Sequence, residues 1–190
     1  GVHVARRFYT LLLWLALPVV MIRLGWRALS SSGYRGRISE RFGGGAPDDR
    51  RCDLWIHAVS VGEVKAATPL VQRLLKEKKH LDIIITTMTP TGAQQVVDTF
   101  GSEVRHRFAP YDYPFAIRRF ITRFSPRLLI IMETEIWPNM IRICHQRGIA
   151  VAMANVRLSA RSARGYRFVL PLVRDGLNKV SLFAAQSEAD

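Results

Sequence analysis

Acidic side chains and cysteines are both scarce in this chain. The first shortage leaves a large positive charge, and the second excludes a disulfide-stabilised fold. Of its 190 residues only 15 are Asp or Glu, against 28 Lys or Arg, which gives a formal net charge of +13. Such an excess predicts an anionic partner: nucleic acid, acidic lipid or a phosphorylated substrate. The two cysteines, Cys52 and Cys144, form no CxxC pair and are too few for a disulfide framework. A reducing compartment fits this usage.

Nucleotide-binding and metal-binding motifs are also missing. The sequence has no GxxxxGK(S/T) phosphate loop and no GxGxxG dinucleotide fingerprint, and the triple glycine at 43–45 precedes every candidate strand. The histidines are scattered and neither cysteine has a histidine near it, so we predict no bound metal and no cofactor. His57, close to Ser60, fits either a site residue or a structural histidine.

The longest apolar stretch, residues 8–22 (FYTLLLWLALPVVMI), has no charge and is flanked by Arg7 and Arg23. As a helix it spans about 22 Å, less than the roughly 30 Å hydrocarbon core of a bilayer. We predict a membrane anchor or interfacial helix over residues 1–29, with a buried core helix or a signal peptide as alternatives. The basic flanks favour the cytoplasmic side. Residues 30–52, rich in Ser, Gly and charge, are expected to form a linker.

From residue 53 onward, short apolar runs alternate with helical patterns. The runs typical of buried parallel strands are 54–59, 83–87, 128–132, 149–154 and 182–185, with a weaker alternating run at 104–108. Between the runs, Thr91 is a candidate cap for a helix that Gly101 ends, and Pro138 is a candidate first-turn residue. This alternation predicts an α/β domain over residues 53–190 with a mostly parallel sheet.

Polar, turn-rich sequence follows each candidate strand. The carboxyl ends of parallel strands share one edge of the sheet, where ligands bind against helix N-termini. The candidate substrate-binding residues in these loops are Ser60, Gly62, Thr86, Thr87, Thr89, Thr91, Gly92, Asn155, Arg157 and Ser159. Gly62 would allow a substrate to approach the backbone closely.

Three carboxylates of this edge, Glu63, Glu133 and Glu135, are the candidate catalytic groups. Glu63 lies in a Ser-Val-Gly-Glu turn at a helix start, where backbone N–H groups and the helix dipole stabilise a carboxylate. It is either a capping acid or a general base that takes a proton from a hydroxyl. Glu133 and Glu135 follow a very apolar strand, and either pair with arginines such as Arg157 or orient a sugar hydroxyl.

Four motifs, in this order, resemble those of the 3-deoxy-D-manno-octulosonic acid (Kdo) transferases, the lipid A glycosyltransferases of Gram-negative bacteria. They are HAVSVGE at 57–63, TTMTPTG at 86–92, METEIWPN at 132–139 and NVRLS at 155–159. RGRISERFG at 35–43 and the apolar N-terminus also match the opening of the family. The resemblance covers essentially the whole chain.

This resemblance implies that the chain is the N-terminal, acceptor-side Rossmann-like domain of a two-domain GT-B glycosyltransferase. It implies inverting, metal-independent transfer of Kdo from CMP-Kdo to a lipid A precursor, at the cytoplasmic face of the cell inner membrane. By motif, Glu63 is the general base, one of Glu133 and Glu135 positions the acceptor, and the 86–92 loop with Arg157 shapes the site. Most donor contacts of the family come from a second domain, which is missing here, so we expect the chain alone to be inactive.

Two other functions compete with this interpretation. A non-enzymatic membrane-surface module would bind anionic lipid through the same basic residues, and Glu63→Gln would leave its function intact. A nucleic-acid-binding domain fits the net charge alone. Its aromatic residues fall in helical or apolar segments and form no recognisable stacking platform, so we predict no nucleic-acid partner.

Overall fold

Five parallel strands form the centre of the molecule, in a computed structural model that describes residues 2–30, 37–45, 50–132 and 137–154. The strands are β1 (Leu54–His57), β2 (Ile83–Thr87), β3 (Arg105–Phe108), β4 (Leu128–Met132) and β5 (Ala150–Ala154). Their order across the sheet is β3-β2-β1-β4-β5, with every neighbouring pair parallel. The predicted α/β fold is therefore confirmed. The predicted strand at 182–185 lies outside the described residues.

Helices connect the strands, and three of them begin at a proline. They are α1 (Val2–Ser30), α2 (Val61–Glu77), α3 (Pro90–Phe100), α4 (Pro114–Phe124) and α5 (Pro138–Gln146), with two short 3₁₀ helices at Ile38–Phe42 and Gly101–Glu103. Proline occupies the first position of α3, α4 and α5, where its missing N–H costs nothing. The prediction for Pro138 is confirmed.

The start of α3 corrects one detail of the sequence analysis. The predicted cap, Thr91, is wrong, because the helix begins one residue earlier at Pro90 and its cap is Thr89. The Thr89 hydroxyl accepts a hydrogen bond from the backbone N–H of Gly92 at 3.0 Å. Gly101, at a φ of 57°, ends the helix as predicted, since a left-handed backbone there favours glycine.

The sheet is covered on both faces, which explains why its strands read as continuous apolar runs. In β1, Leu54 and Ile56 pack toward α2 and α3 in one buried cluster. Trp55, between them, packs on the other face with Phe120 of α4 and with α5. The central strand is β1. From β1 the chain passes to β2 and β3 on one side of the sheet, and it then crosses to β4 and β5 on the other side. This is a topological switch point, where α/β sheets bind ligands.

The N-terminal helix α1 lies along the carboxyl edge of the sheet. The Tyr9 hydroxyl donates to Asp112 Oδ2 at 2.8 Å, the Tyr113 hydroxyl donates to the Leu13 carbonyl at 2.6 Å, and Leu24 is 3% exposed. Its other side exposes large apolar side chains: Phe8, Leu11, Leu12, Leu15, Val19 and Ile22. Among the described residues, α1 is the one helix with the length and composition to cross a membrane, over Val2–Leu24.

Part of the predicted linker is packed against the domain. The Glu40 carboxylate is 5% exposed and accepts hydrogen bonds from Arg37 at 2.7 Å and from the backbone N–H of Phe108 at 3.0 Å. Arg37 also reaches the ring of His106 at 2.9 Å. These contacts fix the 3₁₀ helix Ile38–Phe42 beside β3, the strand at one edge of the sheet.

Candidate functional site

The loops that follow β1, β2 and β3 meet at one edge of the sheet, as the sequence predicts. The backbone N–H of Met88 donates to the Val59 carbonyl at 2.9 Å, which joins the loops after β1 and β2. The N–H of Ala109 donates to the Thr87 carbonyl at 2.9 Å and adds the loop after β3. After β4, the ring of Trp137 lies against His57, with ring centroids 4.7 Å apart. The candidates Glu133, Glu135, Asn155, Arg157 and Ser159 lie outside the described residues.

Glu63 lies in the first turn of α2, directly after β1. Ser60 is the N-cap residue by position, with an extended backbone, yet its side chain makes no capping hydrogen bond. Its hydroxyl instead donates to Glu63 Oε2 at 3.3 Å. The serine therefore holds the carboxylate in place. This differs from a capping box, in which the serine oxygen would accept from the helix backbone.

Gly62, between Ser60 and Glu63 in the chain, is exposed and has open space beside it. A Cβ added at Gly62 would meet no heavy atom closer than Ser60 Oγ, at 4.0 Å. Open space next to a carboxylate and a helix N-terminus leaves room for a ligand hydroxyl to reach both. This geometry leaves room for the close approach predicted for Gly62.

The threonines after β2 are engaged within the protein. Thr87 is fully buried, and its hydroxyl lies 2.8 Å from His106 Nε2 and 3.2 Å from the Thr89 carbonyl. Gly92 is also buried, and a Cβ there would lie 3.1 Å from both Thr87 Cβ and Thr89 Oγ1. Thr91 is exposed, and its hydroxyl donates to Thr89 Oγ1 at 3.3 Å. This loop builds the wall of the site more than it presents free donors.

Thr86 connects two buried aromatic rings below the edge. Trp55 Nε1 donates to Thr86 Oγ1 at 2.9 Å, and Thr86 Oγ1 lies 3.0 Å from His57 Nδ1. Burial lowers the pKa of His57 to about 3, so its ring is neutral. The Trp55 N–H can only donate, and the Thr86 hydroxyl can donate either to His57 Nδ1 or to the Ile56 carbonyl, which lies 3.5 Å away. His57 is fully buried, and among the described residues its Nε2 atom has no hydrogen-bond partner.

Comparison with known proteins decides the family. The family model described as 3-Deoxy-D-manno-octulosonic-acid transferase (kdotransferase) matches residues 36–190. The chain belongs to the Kdo transferase family. The resemblance stated from the four motifs is thereby confirmed.

Three curated relatives carry the name of this family. The "3-deoxy-D-manno-octulosonic acid transferase" of Haemophilus influenzae is 45% identical over 95% of this chain and 43% of its own length. That of Bordetella pertussis is 33% identical over 97% of the chain and 45% of its own length. A "Probable 3-deoxy-D-manno-octulosonic acid transferase, mitochondrial" of Arabidopsis thaliana is 36% identical over 95% of the chain and 41% of its own length. The chain thus spans less than half the length of these relatives.

Asp112 has a structural role that the sequence did not predict. The carboxylate is 4% exposed and accepts from the Tyr9 hydroxyl and from the backbone N–H groups of Asn139 and Met140, at 2.8, 3.1 and 2.7 Å. Burial raises its pKa to about 6, although these hydrogen bonds oppose the shift. Asp112 thus caps α5 and binds α1 to the site edge. No local sequence pattern showed the contact of Asp112 with Tyr9.

A cavity of about 250 Å³ separates α1 from the site edge. The residues that line it are Val20, Arg23, Leu24, Arg41, Met88, Thr89 and Tyr111. Its walls are therefore apolar with two cationic groups.

In the described part of the chain, no three His, Cys, Asp or Glu side chains come together as a metal site would require.

Proposed function

We propose that this chain is the acceptor-binding half of an inverting GT-B glycosyltransferase that transfers Kdo from CMP-Kdo to a lipid A precursor. Membership of the Kdo transferase family carries the reaction class. One structural observation carries the assignment of the base: the Glu63 carboxylate is held by Ser60 at the switch point of the sheet, beside the open backbone of Gly62.

In this mechanism Glu63 takes the proton from the acceptor's primary hydroxyl as its oxygen attacks the anomeric carbon of Kdo. The new bond forms on the face opposite the phosphate, the bond to CMP breaks, and the configuration inverts. CMP leaves as an anion, which basic side chains and helix N-termini stabilise without an obligatory metal. The donor nucleotide is held mainly by a second domain of the full-length protein.

The remaining edge residues are assigned to positioning the acceptor. One carboxylate of Glu133 and Glu135 is assigned to orienting it, and Asn155, Arg157 and Ser159 are assigned to binding its phosphate and sugar groups. The loop 86–92 forms the neighbouring wall, where Thr86 acts by holding His57. The exposed apolar side of α1 supports a location at the inner membrane, on its cytoplasmic face.

The test is a transfer assay with the full-length protein, CMP-Kdo and a lipid A precursor in detergent, with EDTA present. We expect Kdo-lipid product whose anomeric configuration is opposite to that of CMP-Kdo, at a rate that EDTA leaves unchanged. Retention of configuration, or loss of rate with EDTA that added metal restores, would contradict the mechanism. Lipid binding without any transfer would favour the alternative of a non-enzymatic membrane-surface module.

A further inference from the structure

Three arginines from three helices, Arg6, Arg118 and Arg142, lie near enough for their charges to act on one another beside the first turns of α1. Thr10 Oγ1 accepts a hydrogen bond from Asn139 Nδ2 at 3.2 Å, which fixes α1 against α5. Arg6 lies one turn before Thr10, and Arg142 lies one turn after Asn139. Residues one turn apart share a helix face, so both arginines lie close to this contact.

The third arginine comes from α4, which packs beside α5 on the same face of the sheet. The pKa of Arg142 is lowered, first by burial and then by the charges of Arg6 and Arg118. Its Nε atom is buried and, within the described residues, has no hydrogen-bond partner. A guanidinium that is partly desolvated among like charges is a cost to the fold unless an anion joins it.

The protein provides little to balance this cluster. The sequences of α1, α4 and α5 contain no Asp or Glu. The carboxylate that acts on Arg142 is Asp112, whose oxygens already accept from Tyr9, Asn139 and Met140. The missing counter-charge therefore has to come from outside these helices.

The surroundings indicate which anion it is. Val2, Val4 and Phe8, on the same end of α1 as Arg6, are 84, 69 and 61% exposed. From Tyr9 to Leu24 one side of α1 is docked on the domain while the other side is apolar. Exposed apolar side chains next to an unbalanced cationic cluster match a phosphate group that is attached to acyl chains.

We propose that Arg6, Arg118 and Arg142 form a binding site for the headgroup phosphate of an anionic membrane phospholipid. Guanidinium groups suit phosphate because they donate paired, charge-assisted hydrogen bonds. With the site occupied, α1 lies in the boundary between headgroups and acyl chains, along the domain. It does not cross the bilayer.

The test compares two double variants of the full-length protein in sedimentation with phosphatidylglycerol-containing vesicles. Arg118→Gln/Arg142→Gln removes two charges from the cluster, and Lys76→Gln/Lys79→Gln removes two exposed charges at the far end of α2. We expect the first to weaken vesicle binding about 30-fold, from the usual contribution of a basic residue at an anionic surface. We expect the second to weaken it less than about 2-fold, because these lysines lie beyond the screening distance from the membrane. Thermal melting of each variant checks that it is folded.

Equal losses in the two variants would overturn the proposal, because binding would then be diffuse electrostatic attraction. The phosphate source is tested by following the Arg142 Nε–H signal by NMR, with short-chain phosphatidylglycerol and with inorganic phosphate. A shift with the lipid alone supports the site, and an equal shift with inorganic phosphate at the same concentration overturns a lipid site. Kdo transfer to a detergent-solubilised acceptor is expected to be unchanged in Arg118→Gln/Arg142→Gln, so its loss would assign the cluster to the acceptor instead.

Discussion

Two helix starts at the same edge of the sheet look alike in sequence and differ in structure. Both place a hydroxyl residue at the N-cap and a glycine in the first turn: Ser60 with Gly62, and Thr89 with Gly92. In the second, Thr89 caps the helix, and Gly92 is buried with no room for a side chain. In the first, Ser60 holds Glu63, and Gly62 faces open space.

The difference separates a loop whose hydroxyl groups are used inside the protein from a loop that holds a carboxylate beside open space. After β2, the hydroxyls of Thr87, Thr89 and Thr91 all have hydrogen-bond partners inside the protein. After β1, the cap is given up so that a serine can position a carboxylate, and the backbone beside it stays accessible. The predictions below change one loop and use the other as its control.

Replacing Glu63 is expected to have the largest effect. Glu63→Gln keeps an acceptor for the Ser60 hydroxyl but cannot take a proton, so kcat for Kdo transfer by the full-length protein should fall roughly 10²–10⁴-fold. Its melting temperature should stay that of the wild type. Glu103→Gln, which removes an exposed carboxylate after α3, is the matched control and should keep its rate. Equal rates in the two variants would remove Glu63 from the chemistry.

Low pH should reduce the stability of the folded protein, because each of the two loops packs on a buried neutral histidine, His57 or His106. The folded pKa of His57 is about 3, below the unfolded value of 6.5, so the unfolded chain binds protons that the folded chain does not. Stability is therefore complete above pH 6.5 and is lost as the pH falls toward 3. Each such group contributes a slope of about 1.4 kcal/mol per pH unit.

The measurement is the free energy of unfolding in urea between pH 7 and pH 5 for the wild type and His57→Asn. The variant, whose amide can still meet Thr86, should lose less stability across this range. The pKa of His106, beside Thr87, is also lowered to about 3, so part of the dependence should remain in His57→Asn. Identical pH dependence in the two proteins would show that His57 is not buried as described.

Adding a methyl group to each glycine should separate stability from activity. Gly92→Ala places a Cβ 3.1 Å from Thr87 Cβ, which should cost about 1–3 kcal/mol of unfolding free energy. Gly62→Ala meets nothing closer than 4.0 Å, so stability should be kept or slightly raised. Its Kdo transfer should nevertheless fall, because the methyl group occupies the space beside Glu63. A destabilised, fully active Gly62→Ala protein would reverse the assignment of the two loops.

The smallest expected effect concerns the two caps. Thr89→Ala removes the acceptor for the Gly92 N–H and should cost about 1 kcal/mol of unfolding free energy. Ser60→Ala removes no capping bond and should cost less than about 0.5 kcal/mol. Chemical denaturation of the pair measures this difference. A larger loss in Ser60→Ala would mean that Ser60 is the structural cap after all.

The sheet could be predicted because its strands are buried on both faces and therefore appear as unbroken apolar runs. The weaker run at 104–108 also has its explanation in the fold. It becomes β3, an edge strand, where the Arg105 guanidinium pairs with Asp82 at 2.6 Å and that of Arg107 lies over the ring of Phe124. The error at Thr91 arose because two threonines flank Pro90, and only the backbone shows which one precedes the first turn.

The docking of α1 could not be predicted from sequence, because its contacts join distant parts of the chain. Tyr9 and Asp112 are 103 residues apart, and neither carries a local motif. The composition of residues 8–22 shows an apolar helix but not which of its sides the domain covers. The candidate base Glu63, in contrast, could be predicted because Ser60, Gly62 and Glu63 lie within one turn.

The central claim is that the acceptor site is formed in this half of the protein. The most direct test is sedimentation of the 190-residue chain with vesicles that contain the bisphosphorylated lipid A precursor, against phosphatidylglycerol vesicles of matched surface charge. The account predicts a clear preference for the precursor, since the edge around Glu63 would recognise its sugar as well as its charge. Equal binding to both vesicles would contradict it and leave this half with electrostatic attraction alone.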